Sequence, residues 1–199
     1  MTDDQSTVRA FAAVKLESTV LDKIASLSTQ IRKQLTSRAI RWVKTEQIHL
    51  TLRFYGNIAS SEIQELLKAL HPISSGTGSL TLKLGNLGCF PDFHNPRIVW
   101  LGLIGDIIPL QHIQRKVVEL SENLGEPADA KEFKPHLTLA RIKDAPRKEA
   151  QSIGDYLRSC NLHVSAEWIV DRIYLIQSEL TPQGPIYTDL GCIPLNLAS

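Results

Sequence analysis

"IHLTLRF" (residues 48–54) and "PHLTLAR" (residues 135–141) share the tetrapeptide His-Leu-Thr-Leu, and the reading of that stretch decides the fold. In a strand, alternate side chains face opposite ways. His49, Thr51 and Arg53 then share one face, and Ile48, Leu50, Leu52 and Phe54 the other. In the second copy His136 and Thr138 point together with Leu137 and Leu139 behind them, while Arg141 has the opposite parity. The leucine faces can pack on helices, which leaves the polar faces free for a cleft. One histidine on a strand is ordinarily just a hydrogen-bonded surface or core residue. Two matching His-x-Thr sites suggest more: strands that face each other would present two imidazoles and two hydroxyls to one small object.

The surrounding sequence supports an ordinary folded host. The chain has 199 residues, 43% hydrophobic and 22% charged, enough to build a full core. Its formal charge of +1 provides no polycationic field to hold long nucleic acid, so any nucleic-acid substrate is expected to be recognised at an end or as a short piece. Three cysteines, Cys89, Cys160 and Cys192, form no CxxC pair, which favours a reducing cytoplasm over a disulfide framework or a zinc site. "MTDDQSTVRA" is acidic and polar, unlike a targeting peptide, and no apolar run reaches the roughly 18 residues of a membrane span. A cytoplasmic monomer without membrane attachment is expected.

Periodicity predicts a strand at 8–14 and an amphipathic helix at 17–35 carrying Val20, Ile24, Leu27 and Ile31. Two short strands are expected within 39–56, divided by "KTEQ". Ser61 and Gln64 fit a capping box that opens a helix with Ile63, Leu66, Leu67 and Leu70. Strands at 79–90 and 97–104 are joined by the turn "PDFHNP", and a second long helix runs over about 108–124. A strand at 132–142, a helix near 147–158 and three β-like segments ("LHVSAEW", "IVDRIYLIQSEL", "PIYTDLGCIPL") complete the chain. Short hairpin-like spacings predict antiparallel sheets with helices on one side, an α+β class, in a single domain over residues 1–199. Each half has a long helix upstream of one His-Leu-Thr-Leu strand, which hints at two similar lobes.

The duplicated pair suits phosphoryl chemistry. Two imidazoles with ordinary values near 6.5 can divide the roles of neutral base and protonated acid at neutral pH. Threonine hydroxyls can donate to phosphate oxygens where charge accumulates. A two-histidine metal site is the competing reading, but metals normally want carboxylate or thiolate partners and neither motif carries one nearby. The Asp92/His94 pair reads as part of a turn.

These residues resemble the 2H phosphoesterase superfamily, named for two His-x-Thr-x motifs, and most closely its RNA 2′,3′-cyclic phosphodiesterase branch, the LigT-like or 2′-5′ RNA ligase family. "VRAFAAV" resembles that family's opening strand, "FPDFHNPRIVWLGL" its central segment, "FKPHLTLAR" its second motif and "QGPIYTDLGCIPL" its closing strand, with Asp189 where proline is frequent. The resemblance implies a bilobal α+β fold with pseudo-twofold lobes around a cleft and no metal or other cofactor. It implies His49 as general acid, His136 as general base, and Thr51 and Thr138 as phosphate ligands. Arg141 matches an arginine that touches substrate, and its parity lets it reach the cleft only if the strand bulges, twists or ends there. Phe11 is expected in the first-strand core, with stacking on a base as the alternative. The expected substrates are RNA ends or nucleotides carrying a 2′,3′-cyclic phosphate, opened to 2′-phosphomonoesters, with 2′-5′ ligation as the same chemistry in reverse. Hydrolysis of 2′-5′ linkages or of ADP-ribose cyclic phosphate, and a binding module without turnover, are the alternatives.

Overall fold

A computed structural model describes residues 6–76, 78–160 and 164–195. It contains β1 (Thr7–Val14), α1 (Ser18–Gln34), β2 (Ile40–Trp42), β3 (Leu50–Ala59), α2 (Glu62–Leu70), β4 (Leu80–Phe90), β5 (Ile98–Gly105) and α3 (Ile107–Leu120). Then follow β6 (His136–Ile142), α4 (Arg147–Ser159), β7 (Glu167–Val170), β8 (Arg172–Thr181) and β9 (Gly184–Pro194). Two antiparallel sheets result: a four-stranded one in the order β3-β1-β8-β9 and a five-stranded one in the order β2-β6-β5-β4-β7. Each motif strand thus lies in its own sheet, and β3 and β6 make contact with each other. The fold is α+β and bilobal, as expected.

The lobes are interleaved. β2 pairs with β6 in the second sheet, yet β3 returns to the first after a single 3-10 turn at Thr45–Gln47. α1 lies over the second sheet: Arg32 stacks on Trp42 of β2 at 5.0 Å, and Glu17 accepts a hydrogen bond from the Ile169 amide of β7. α3 packs instead on β3, where Gln114 donates to the Leu52 carbonyl. One connected apolar core runs through both, from Ala12 and Leu50 to Leu137 and Val170.

α1 and α2 bury the predicted stripes: Val20, Ile24, Leu27 and Ile31 in the first, Leu66 and Leu70 in the second. The capping box is not formed. Ser61 is already helical and caps nothing; the Glu62 carboxylate takes the Ala59 amide at 2.7 Å instead. α3 ends at Leu120, four residues before the expected limit, because the chain turns there to present carbonyls to Arg53. The strand predicted over 132–142 begins only at His136, after Pro135. Asp92 closes the β4–β5 turn by accepting the His94 and Asn95 amides, a structural role. Leu162 and His163 of "LHVSAEW" and most of the acidic N-terminus lie outside the described residues, and Glu167–Val170 forms β7. Among the described residues no helix is long and apolar enough to cross a membrane.

Arg53 overturns the simple alternation read from the first motif. It is 4% exposed and lies on the helix side, not beside His49. Its guanidinium donates to the carbonyls of Val118, Leu124 and Glu126 and to Ser121 Oγ at 2.9–3.2 Å, and stacks on Tyr55. This one cation therefore collects the unpaired carbonyls beyond α3, which a helix end must satisfy somehow. Gly125, at φ +70, lets the same loop pass against Tyr55, where a Cβ would meet the Tyr55 carbonyl. Arg53→Leu is expected to cost about 3 kcal/mol, since it strands several buried acceptors. Urea unfolding of the variant should show a lowered midpoint with an unchanged slope.

Candidate active site

The strand that carries each motif skips a residue, and in the same place. In β6, Thr138 pairs with Trp100 and Ala140 with Val99, so Leu139 has no partner on β5. In β3, Thr51 pairs with Ala13 and Arg53 with Ala12, so Leu52 has none on β1. An extra residue in one strand reverses the alternation beyond it. Leu52 and Arg53 are consequently both buried, as are Leu139 and Ala140. Phe54 and Arg141 then emerge on the face of the histidines. Phe54, expected on the leucine face, is 56% exposed and lies 5.8 Å from Phe11. Arg141 meets the condition set for it: the strand bulges, and its side chain is exposed on the face of His136 and Thr138.

The two imidazoles are held alike. His49 Nδ1 lies 2.7 Å from the Gln47 carbonyl, and His136 Nδ1 lies 2.7 Å from the Lys134 carbonyl. A ring nitrogen that close to a carbonyl oxygen must carry the proton, which leaves Nε2 as the site where a proton can come or go. The aromatic walls also correspond. His49 stacks on Phe11 at 4.7 Å and meets the edge of Tyr187 at 5.3 Å. His136 stands perpendicular to Phe90 at 5.0 Å, with Trp100 at 6.2 Å. The Trp100 indole lies against Gly88, where any Cβ would collide with it. Phe11 is buried beneath His49 in a small cluster with Ala13 and Ile176, so the structure gives it the packing role.

Burial lowers His49 below its ordinary value, against the opposing pull of the Gln47 carbonyl. Burial also raises the Tyr187 hydroxyl, opposed by the fields of Arg141 and Arg9. Tyr187 thus touches the histidine of the first sheet and feels the field of an arginine from the second. A cavity of about 220 Å³ opens beside His49, lined by Lys15, Gln47, Tyr187 and Asp189. Gln47 secures this wall by donating to the Pro185 carbonyl at 2.6 Å. Lys15 pairs with Asp189 at 2.6 Å.

Of the five residues singled out from the sequence, His49 directly precedes β3 and Thr51 lies in it, while His136, Thr138 and Arg141 lie in β6. Gln47, Phe90, Trp100 and Tyr187 were not picked out. Their signal is geometric, because nothing in the letters says which carbonyl or ring a histidine will meet. Among the described residues no group of three or more His, Cys, Asp or Glu is clustered as metal ligands would be. The Cys89 thiol is pushed up to about 12 by burial and by Asp92, which makes it a poor nucleophile.

Known proteins resemble this chain in sequence and in fold. The family model described as LigT like Phosphoesterase matches residues 14–100 and 108–187. An RNA 2′,3′-cyclic phosphodiesterase of Aquifex aeolicus is 34% identical over 83% of this chain and 87% of its own. One from Thermus thermophilus is 32% identical over 92% of this chain and 88% of its own. Among solved structures, TT0787 of Thermus thermophilus superposes with a TM-score of 0.75 at 30% identity, over 95% of this chain and 98% of that one. Escherichia coli LigT complexed with 3′-AMP gives 0.73 at 22% identity, over 96% of this chain and 99% of that one, a likeness of fold. The matched segments contain both bulged strands and both histidines, and the chain belongs to the LigT-like phosphoesterase family.

Proposed function

We propose that the protein hydrolyses the 2′,3′-cyclic phosphate at RNA ends, leaving a 2′-phosphomonoester, with 2′-5′ ligation following when a ribose 5′-hydroxyl attacks in place of water. The observation that carries this reading is the repetition of one arrangement on two sheets: an imidazole fixed through Nδ1, and a threonine beside it on the same face. The names of the relatives point to the same substrate. A net charge of +1 suits recognition of an end better than of a long polyanion.

In this reading His136 Nε2 takes a proton from water as the water oxygen bonds to phosphorus. The bond from phosphorus to O3′ breaks opposite it, and His49 Nε2–H protonates the departing oxygen. Thr51 and Thr138 donate to the two non-bridging oxygens, and Arg141, further along the same face, holds another part of the substrate. The spent pair, His136 protonated and His49 neutral, resets by exchange with solvent. His49 must carry a proton to act as the acid, yet burial against Phe11 and Tyr187 disfavours its charged form. The anionic substrate resolves this, because a negative charge beside the imidazole favours protonation.

His49→Ala and His136→Ala should each lower turnover of adenosine 2′,3′-cyclic phosphate by about 10²–10⁴ while circular dichroism shows an intact fold. Full activity in either variant, or abolition of wild-type activity by EDTA, would overturn the mechanism.

Thr51→Ala and Thr138→Ala should cost about 1–3 kcal/mol of transition-state stabilisation each, less than either histidine. Chromatography of the product should show 2′-AMP; predominant 3′-AMP would reverse the acid and base assignments.

The lowered value of His49 gives a signed pH prediction. In the free enzyme the acid loses its proton as pH rises through a value below 6.5. With substrate bound the value is higher, so the alkaline limb of kcat/KM should fall at lower pH than that of kcat. The opposite order, or profiles flat from about pH 5 to 9, would exclude His49 as the acid.

A further inference from the structure

The second sheet holds a pair of arginines that fold stability alone does not explain. Arg41 of β2 is the direct cross-strand partner of Arg141 of β6, so both side chains stand on the cleft face, and both are exposed. Side chains at such positions have Cβ atoms about 4.5–5.5 Å apart, and like charges there are destabilising. Among the described residues neither guanidinium is in an ion pair or a side-chain hydrogen bond. Their neighbours Trp42 and Ala140 face the other way, into the helix layer.

The pair has no counterpart in the first lobe. There β3 is the last strand of its sheet among the described residues, and the position matching Arg141 is Phe54. β6 by contrast is flanked by β2, whose one exposed residue on the cleft face is Arg41. Whatever anion this doublet serves therefore lies over the second lobe only.

Its distance from the catalytic centre specifies that anion. Thr138 pairs with Trp100 and Arg141 with Ile98, two residues along β5, which corresponds to roughly 7 Å. On a terminal nucleotide, the cyclic phosphorus and the 5′-phosphorus are separated by O3′, C3′, C4′, C5′ and O5′, a linker of similar reach. Two guanidiniums side by side suit a phosphate, which each can grip through a fork of N–H donors. We propose that Arg41 and Arg141 form a second phosphate site that binds the 5′-phosphate of the terminal nucleotide, so that Arg41 determines a preference for RNA ends over bare nucleoside cyclic phosphates. The proposal rests on the cyclic phosphodiesterase reading of the site.

The test compares adenosine 2′,3′-cyclic phosphate with its 5′-phosphorylated form. Wild type should favour the 5′-phosphorylated substrate in kcat/KM by about tenfold or more, with the preference shrinking as salt rises. Arg41→Gln should reduce that ratio about tenfold through KM, and Arg41→Lys should restore part of it. The same ratio is read in binding by calorimetry with adenosine 2′,5′-bisphosphate against 2′-AMP, which tests the arginine pair even if neither cyclic substrate turns over. A ratio equal in wild type and Arg41→Gln, in turnover or in binding, overturns the proposal and leaves the hydrolytic reading standing. Absence of turnover on both substrates, with the binding preference intact, sinks the hydrolytic reading alone.

Discussion

Everything at the cleft depends on the extra residue that directly follows the threonine in each motif strand. An alternating strand puts every second side chain on the same face, and a run long enough to be stable would place Arg53 in the cleft and Arg141 in the core. Skipping Leu52 and Leu139 lets each strand keep two polar residues outward, bury two consecutive residues, and turn outward again. The residue that follows is free to differ between the lobes, and it does: an aromatic in one, a cation in the other. A symmetric scaffold thereby acquires an asymmetric cleft without altering its strand order.

The fixed orientation of the two imidazoles has the same local character. In each motif the chain enters the strand so that the carbonyl two residues upstream lies at the histidine ring. Backbone alone selects the tautomer, with no carboxylate needed as orienter. The difference between the two rings lies in their walls. Phe11 and Tyr187 flank His49, whereas His136 sits against Phe90 and Trp100 at the mouth of its strand.

Much of this was legible in the letters. The helix stripes are visible as spacings of apolar residues because burial of one face is what those spacings encode, and the motif pairs follow from strict alternation over a short distance. What failed depends on partners distant in sequence. Arg53 is buried because α3 ends where its last carbonyls need donors, and nothing near residue 53 announces that. Ser61 and Gln64 match a capping pattern, yet the Ala59 amide prefers the Glu62 carboxylate. Bulges are similarly silent: "LTLRF" and "LTLAR" read as unbroken strands, and the skipped leucine is apolar like its neighbours. For Arg141 the family resemblance pointed to the cleft where alternation alone did not.

The path of the chain through the two sheets bears on how such a protein can be built and inherited. It starts in the first sheet, crosses to lend β2 to the second, returns for β3, completes the second sheet with β4 to β7, and ends in the first with β8 and β9. The two halves resemble each other, but neither is a module. A fragment ending after β3 would carry β2 without the strand it pairs with, and α1 without the sheet it covers. Interlocked in this way, the halves depend on each other to fold. Neither histidine strand can therefore be lifted out with a complete sheet around it, and the two can be moved to another context only together.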